Sequence, residues 1–244
     1  MRVEGEEPNP GLERVHHQLR ADGVRHSVNN PLRTGLHTRG YLPHVKRQGA
    51  GYFVTYRLAD SLPKGVLLKL EAERAQKLRA LKGEKDQGWF PEEEKAIIER
   101  NFRREIERQL DLCHGACHLR NPQIGSLIAA NLKYFNGQRY LLYEWVVMPN
   151  HVHLIVQPMS NFLLSNILKT WKQYTSLRAK AILGLGDGPF WQPESYDHWI
   201  RNVEEHDHIA RYIRNNPVKA HLCTLAENWP WSSGAAAQGE LPAQ

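Results

Sequence analysis

The chain has 244 residues, of which 41% are hydrophobic and 24% charged, and a net charge of +6. That length holds one domain with a sizeable core, and the balance excludes a disordered or fibrous chain. Three cysteines are too few for a disulfide framework, no apolar run is long enough to cross a bilayer, and the basic excess suits a polyanionic partner such as nucleic acid.

The opening MRVEGEEPNPGLER lacks the apolar stretch of a signal peptide, and with thiols expected reduced it points to the cytoplasm. Residues 1–40 carry no sustained period and read as a disordered basic arm; residues 234–244 read as a flexible tail. Order is expected from Tyr41. GYFVTYRL at 51–58 is aromatic and β-branched, a strand. Leu67, Leu70, Ala75, Leu78 and Leu81 recur at near-helical spacing over 63–81, and Glu92 to Leu112 reads as a second helix with Pro91 suited to its first turn. Residues 123–134 form a short helix, and RYLLYEWVV at 139–147 a strong strand. The turn MPN then leads into a second strand, HVHLIVQ at 151–157, so the pair reads as an antiparallel hairpin. A long amphipathic helix spans Leu163 to Leu183, residues 190–200 read as extended, and a final helix runs from Val203 to Asn216, where Pro217 is expected to stop it. This order predicts an α+β fold: a ferredoxin-like (RRM-like) antiparallel sheet with helices on one face.

Alternate residues of a strand share a face, so His151 and His153 project together while Val152, Leu154 and Val156 face a core. Two imidazoles side by side make half of a divalent-metal site. The competing reading is two half-exposed polar residues opposite an apolar face. On the final helix, Ile209 and Ile213 form a buried stripe, and Tyr212 and Asn216 are also four apart, one above the other. One of that pair can ligate a metal while the other presents a phenol, a suitable nucleophile for a phosphodiester. The plain alternative is a tyrosine packed at a helix–sheet seam and an asparagine closing a helix.

Together these segments look familiar. MPNHVHLIV, followed 59 residues after His153 by YIRNNPVK from Tyr212, resembles the single-tyrosine HUH transposases (IS200-like), named for histidine, hydrophobe, histidine. RGYLPHV at 39–45, FVTYRLADSLP at 53–63, FWQPESYDHWIR at 190–201 and NWPWSS at 228–233 resemble the REP-associated tyrosine transposases in particular, so the likeness covers residues 39–233. It implies a catalytic domain over 41–233 with the histidines on a central strand and Tyr212 as nucleophile. It also implies Asn216 as the amide that completes a magnesium or manganese site with His151 and His153. The implied reaction is cleavage of single-stranded DNA, usually in hairpin or palindromic sequences, to a 5′-phosphotyrosine and a free 3′ hydroxyl, with rejoining as strand transfer by a monomer or homodimer. Residues 64–138 exceed the single helix of minimal members and read as a helical insertion.

Other features are weaker. Arg201 in DHWIR is a candidate phosphate contact, and Asp197 an orienting group. His208, one turn before Tyr212, reads as solvated. Cys113, Cys117 and His118 hint at zinc, but small thiols in a turn explain the spacing better. Lys169, Lys172 and Arg178 beside Trp171 and Tyr174 suit single-stranded DNA, and Tyr174 is a second nucleophile candidate, without an amide one turn later. The alternative function is a non-catalytic nucleic-acid-binding module whose sheet aromatics, Tyr52, Tyr56, Tyr140 and Trp145, stack on bases.

Overall fold

The structure is a computed structural model that describes residues 35–39, 42–46, 49–83 and 92–235. The predicted tail, 234–244, therefore falls almost wholly outside the described residues. So does most of the predicted arm, with one correction. Gly35–Arg39 (β1) pairs antiparallel with Leu42–Lys46 (β2), Arg39 opposite Leu42. These strands are five residues each and too polar to stand out as a periodic pattern, so β1 was hidden in the arm.

The main sheet holds four strands: β3 (Tyr52–Arg57), β4 (Tyr140–Val147), β5 (His151–Pro158) and β6 (Tyr196–Trp199). Their order is β4-β5-β3-β6, and every neighbouring pair is antiparallel. That is the order of two interleaved split βαβ units, the ferredoxin-like plan. Among the described residues five α-helices accompany it: α1 (Lys64–Gly83), α2 (Glu92–Asp111), α3 (Pro122–Tyr134), α4 (Leu164–Leu183) and α5 (Val203–Lys219).

Strand alternation divides the core between the two faces. Tyr52, Val54 and Tyr56 of β3 join Val152, Leu154 and Val156 of β5 under α3 and α4, which contribute Ile124, Ile128, Leu132, Ile167 and Trp171. The opposite face carries Phe53, Val146, Met148 and Ile155, and α5 covers it with Ala210 and Ile213. Helices α3 and α4 thus share one face, and the last helix adds a layer on the other. A bulge in β4 resets its alternation: Leu142 pairs with Val156 but Trp145 with Leu154, so both point to the α3/α4 face.

Two further boundaries differ from the sequence reading. Helix α3 belongs to the core, as the crossover helix of the first split unit, which leaves the packed pair α1 and α2 as the part of 64–138 outside the split βαβ plan. That pair is pinned by a bidentate contact of Arg74 with Glu99 at 2.6–3.0 Å. Pro217 lies inside α5, which continues to Lys219. Asn216 and Pro217 are both buried against the sheet, and this packing outweighs the one backbone bond that proline cannot make. The helix closes at Ala220, whose N–H reaches Asn216 O at 3.0 Å, followed by left-handed His221 (φ 56°).

Candidate active site

His151 and His153 sit side by side on β5, both fully buried. Their Nε2 atoms are 3.0 Å apart. Each Nδ1 has a partner that orients the ring. Asn150 Oδ1 lies 2.7 Å from His151 Nδ1, and Asn150 Nδ2 donates to the His114 carbonyl at 3.1 Å. The second bond settles which end of the amide faces the ring. The oxygen can only accept, so His151 Nδ1 carries the hydrogen and its Nε2 has a free lone pair. Across the 3.0 Å gap His153 Nε2 must then be the donor, and Thr55 Oγ1 donates to His153 Nδ1 at 2.7 Å. Thr55 and His153 are register partners on β3 and β5, which is why a hydroxyl 98 residues away meets the ring.

The His114 carbonyl is delivered by a tight turn. Cys113 and Cys117 are left-handed (φ 53° and 52°), and Gly115 (φ 85°) passes so close that a Cβ would lie 2.5 Å from Asp60 O. Ala116 N–H donates to the Asp60 carboxylate at 2.8 Å. The two thiols are half-buried parts of this turn.

Burial holds His151 at about 3, with the charge of Lys219 acting in the same direction. His153 is lowered further below its ordinary value by burial, by His151 and by Lys219. Both rings are neutral at pH 7, the form that ligates metals.

Helix α5 brings the other two residues to this patch. The Tyr212 hydroxyl lies 3.4 Å from His153 Nε2, and its ring packs edge-on to both His153 and Phe53. Burial pushes the phenol well above its usual range, and the carboxylates of Glu107 and Asp111 add to the shift. Asn216, one turn later, is fully buried, and neither its amide oxygen nor its nitrogen has a hydrogen-bond partner. A buried amide left so costs about 1–3 kcal/mol per group. Among the described residues no three His, Cys, Asp or Glu side chains gather in metal-binding range. A donor set here is therefore two imidazoles and an amide.

Arg201 is exposed between β6 and α5, where its backbone N–H donates to Glu205. Tyr212 is nine residues beyond the helix start at Val203, roughly 14 Å of helical rise, so Arg201 is not brought to the imidazoles. His208 is exposed. Trp171 is buried under the opposite face of the sheet, and Lys172 is engaged by Pro193 O and Ser195 Oγ at 2.9 and 3.1 Å. Tyr174 is exposed on that same helix, across the sheet from the histidines. The four aromatics of the binding-module alternative, Tyr52, Tyr56, Tyr140 and Trp145, are buried beneath α3 and α4 and offer no stacking surface. Sequence reading missed Thr55 and Glu107. Neither carries a local signal, because both reach the site only through tertiary pairing.

Residues 125–216, which include the histidine pair, Tyr212 and Asn216, match the family model described as transposase IS200 like. A curated relative, the REP-associated tyrosine transposase of Escherichia coli (strain K12), is 28% identical over 116 residues, 47% of this chain and 67% of that protein. A solved structure of a REP-associated tyrosine transposase bound to a REP hairpin is similar at 20% identity and a TM-score of 0.43, covering 81% of each chain. No helix among the described residues is long and apolar enough to cross a membrane. The chain is thus similar, over residues 125–216, to the IS200-like transposases and, over 116 residues, to a REP-associated tyrosine transposase.

Proposed function

We propose that this chain is a metal-dependent single-stranded DNA endonuclease and strand transferase that works through a covalent 5′-phosphotyrosine on Tyr212. The observation that carries the reading is the convergence of a neutral imidazole pair, a phenol 3.4 Å from it and an unpartnered buried amide on one patch. The family match over the same residues supports it.

His151, His153 and Asn216 would hold the divalent ion, Mg2+ or Mn2+. The fit rests on the Nε2 atoms turned toward each other and on the orphaned Asn216 amide, whose oxygen is a hard donor of the kind these ions prefer. When bound, such an ion polarises a phosphoryl oxygen. Ligation through both Nε2 atoms requires the His153 hydrogen on Nδ1. The Thr55 hydroxyl serves either tautomer, because it donates and accepts equally well.

The remaining chemistry belongs to Tyr212. Its oxygen bonds to phosphorus, the bond from phosphorus to the 3′ oxygen breaks, the phenol loses its proton and the released 3′ oxygen gains one. The phosphotyrosine keeps the ester, so a different 3′ hydroxyl can attack it and rejoin the strand. Hairpin-forming or palindromic single-stranded DNA is the substrate class that the family resemblance implies.

The test is incubation with hairpin-bearing single-stranded DNA and Mn2+ or Mg2+, read as a protein–DNA adduct on a denaturing gel. Tyr212→Phe should abolish the adduct and leave the fold intact. An adduct that persists in that variant overturns the nucleophile assignment, and cleavage without any adduct means that water attacks instead.

A further inference from the structure

The segment after α5 returns to the sheet and runs antiparallel along the outer edge of β4, with Ser232 opposite Val146. Val147 N–H donates to Trp231 O at 2.8 Å, and Ser233 N–H to Trp145 O at 2.9 Å. The Trp229 indole donates to Val147 O at 2.9 Å. The bulge in β4 falls between Leu142 and Trp145, and it turns both Tyr143 and Glu144 toward α5. Tyr143 meets His206 edge-on, and Glu144 bonds to Arg214.

Glu144 is 9% exposed, and each of its oxygens is held. One accepts from Arg214 Nη2, the other from Ser233 Oγ at 2.5 Å. The same hydroxyl accepts from Trp145 N–H at 3.0 Å. The edge segment therefore fixes the carboxylate, and the carboxylate fixes Arg214.

Successive helix residues point about 100° apart. Ile213 is buried against the sheet, so Tyr212 and Arg214 leave α5 on opposite flanks. On one flank the Tyr212 hydroxyl lies 3.4 Å from His153 Nε2, and Lys219 pairs with Asp111 at 2.7 Å. On the other, Arg214 is held by Glu144. A helix tied on both flanks cannot roll on the sheet. A side chain as long as tyrosine magnifies any roll at its tip, so the Arg214 tie governs where the phenol oxygen sits.

We infer that Glu144 is a positioning residue for strand transfer: anchored by Ser233, it holds Arg214 and so sets the roll of α5 that brings the Tyr212 oxygen to the imidazole pair. This role rests on Tyr212 being the nucleophile, as proposed above. It gives the NWPWSS segment a part in the reaction from the far flank of the helix.

The experiment compares Glu144→Leu, which has no acceptor, with Glu144→Gln, whose amide oxygen still accepts from Arg214. Arg214 is half-exposed and Ser233 exposed, so Glu144→Leu leaves both to water and orphans no buried group. Ser233→Ala, a surface change, removes only the anchor. In full-length protein labelled at the tyrosine ζ-carbon, the Tyr212 resonance, assigned with Tyr212→Phe, senses the neighbouring rings of His153 and Phe53. It should move in Glu144→Leu, move less in Ser233→Ala and stay near its wild-type position in Glu144→Gln. In single-turnover adduct formation with hairpin-bearing single-stranded DNA and Mn2+, Glu144→Leu should slow the covalent step by about 10- to 100-fold, the cost of a misaimed group. Its DNA affinity should stay unchanged, and Glu144→Gln should restore most of the rate. A Tyr212 resonance unmoved in both Glu144→Leu and Ser233→Ala overturns the proposal, as does a covalent step in Glu144→Leu as fast as wild type. Should Glu144→Leu fail to fold, Ser233→Ala decides by the same two readouts. Should the wild type form no adduct, the strand-transfer reading falls, and the resonance alone decides whether Glu144 seats the tyrosine helix.

Discussion

Asn150 Oδ1 accepts the Nδ1 hydrogen of His151 over 2.7 Å, and the amide's other end is held by the carbonyl of His114. The turn at 113–117 therefore dictates, through one asparagine, which nitrogen of His151 is bare. Partners of this kind typically account for 10- to 100-fold in metal affinity. Asn150→Ala should weaken Mn2+ binding by about that factor while leaving both imidazoles in place. Isothermal titration of the purified protein measures it directly. An affinity equal to wild type would mean that the tautomer is set elsewhere.

The two histidines should make the fold acid-sensitive. Burial holds His151 at about 3, and His153 is depressed in the same direction, whereas an unfolded imidazole titrates near 6.5. Between those values the unfolded chain binds protons that the fold refuses. Stability therefore rises with pH through that window, is fully present above about 6.5, and is lost as pH falls toward 3. Urea unfolding midpoints at intervals from pH 7.5 to 4.5 should show the fall. A His151→Gln/His153→Gln variant should flatten the slope by up to two protons. Equal slopes would show that the pair protonates freely in the folded state.

The parts legible in the sequence are those that a single period can reveal. The strand repeat of two put His151 and His153 on one face, and the helical spacing of four put Tyr212 over Asn216; the structure keeps both relations. Helix α1 and helices α3 to α5 were equally plain from their apolar spacing. What was illegible depends on pairing between distant segments. Thr55 reaches His153 because β3 lies beside β5 in one register, and the carboxylate side of α2 lies near Tyr212 because Arg103 bonds to Tyr196 and Asp111 to Lys219. Pro217 shows the limit of local rules from the other side. A stop signal in isolation becomes a buried residue of the last turn once the sheet packs against it.

Gly125 of α3 packs against Trp231, where an added Cβ would lie 2.6 Å from two ring carbons. Alanine is the better helix former by about 1 kcal/mol. Overpacking typically costs 1–3 kcal/mol, so the net effect of Gly125→Ala should be a loss of about 1 kcal/mol. Gly65 in α1 has nothing within 4 Å of its added Cβ, so Gly65→Ala should be neutral or stabilising. Urea unfolding followed by tryptophan fluorescence separates the two. A stabilised Gly125→Ala would show that Trp231 yields without cost.

Arg201 offers a different kind of test, because it is exposed and stands apart from the imidazole patch. If it contacts DNA, it does so as a phosphate ligand rather than as part of the chemistry. Arg201→Ala should then weaken binding of hairpin-bearing single-stranded DNA similarly across sequences. It should also reduce the dependence of log affinity on log salt by about one phosphate contact, a slope change of roughly 0.7 for a single strand. At saturating DNA the rate of adduct formation should match wild type, since Tyr212, His151 and His153 are untouched. Fluorescence anisotropy at a series of salt concentrations gives the slope, and single-turnover gels give the rate. An unchanged slope removes Arg201 from the DNA interface, and a slower covalent step at saturation would place it nearer the reacting phosphate than its position before α5 allows.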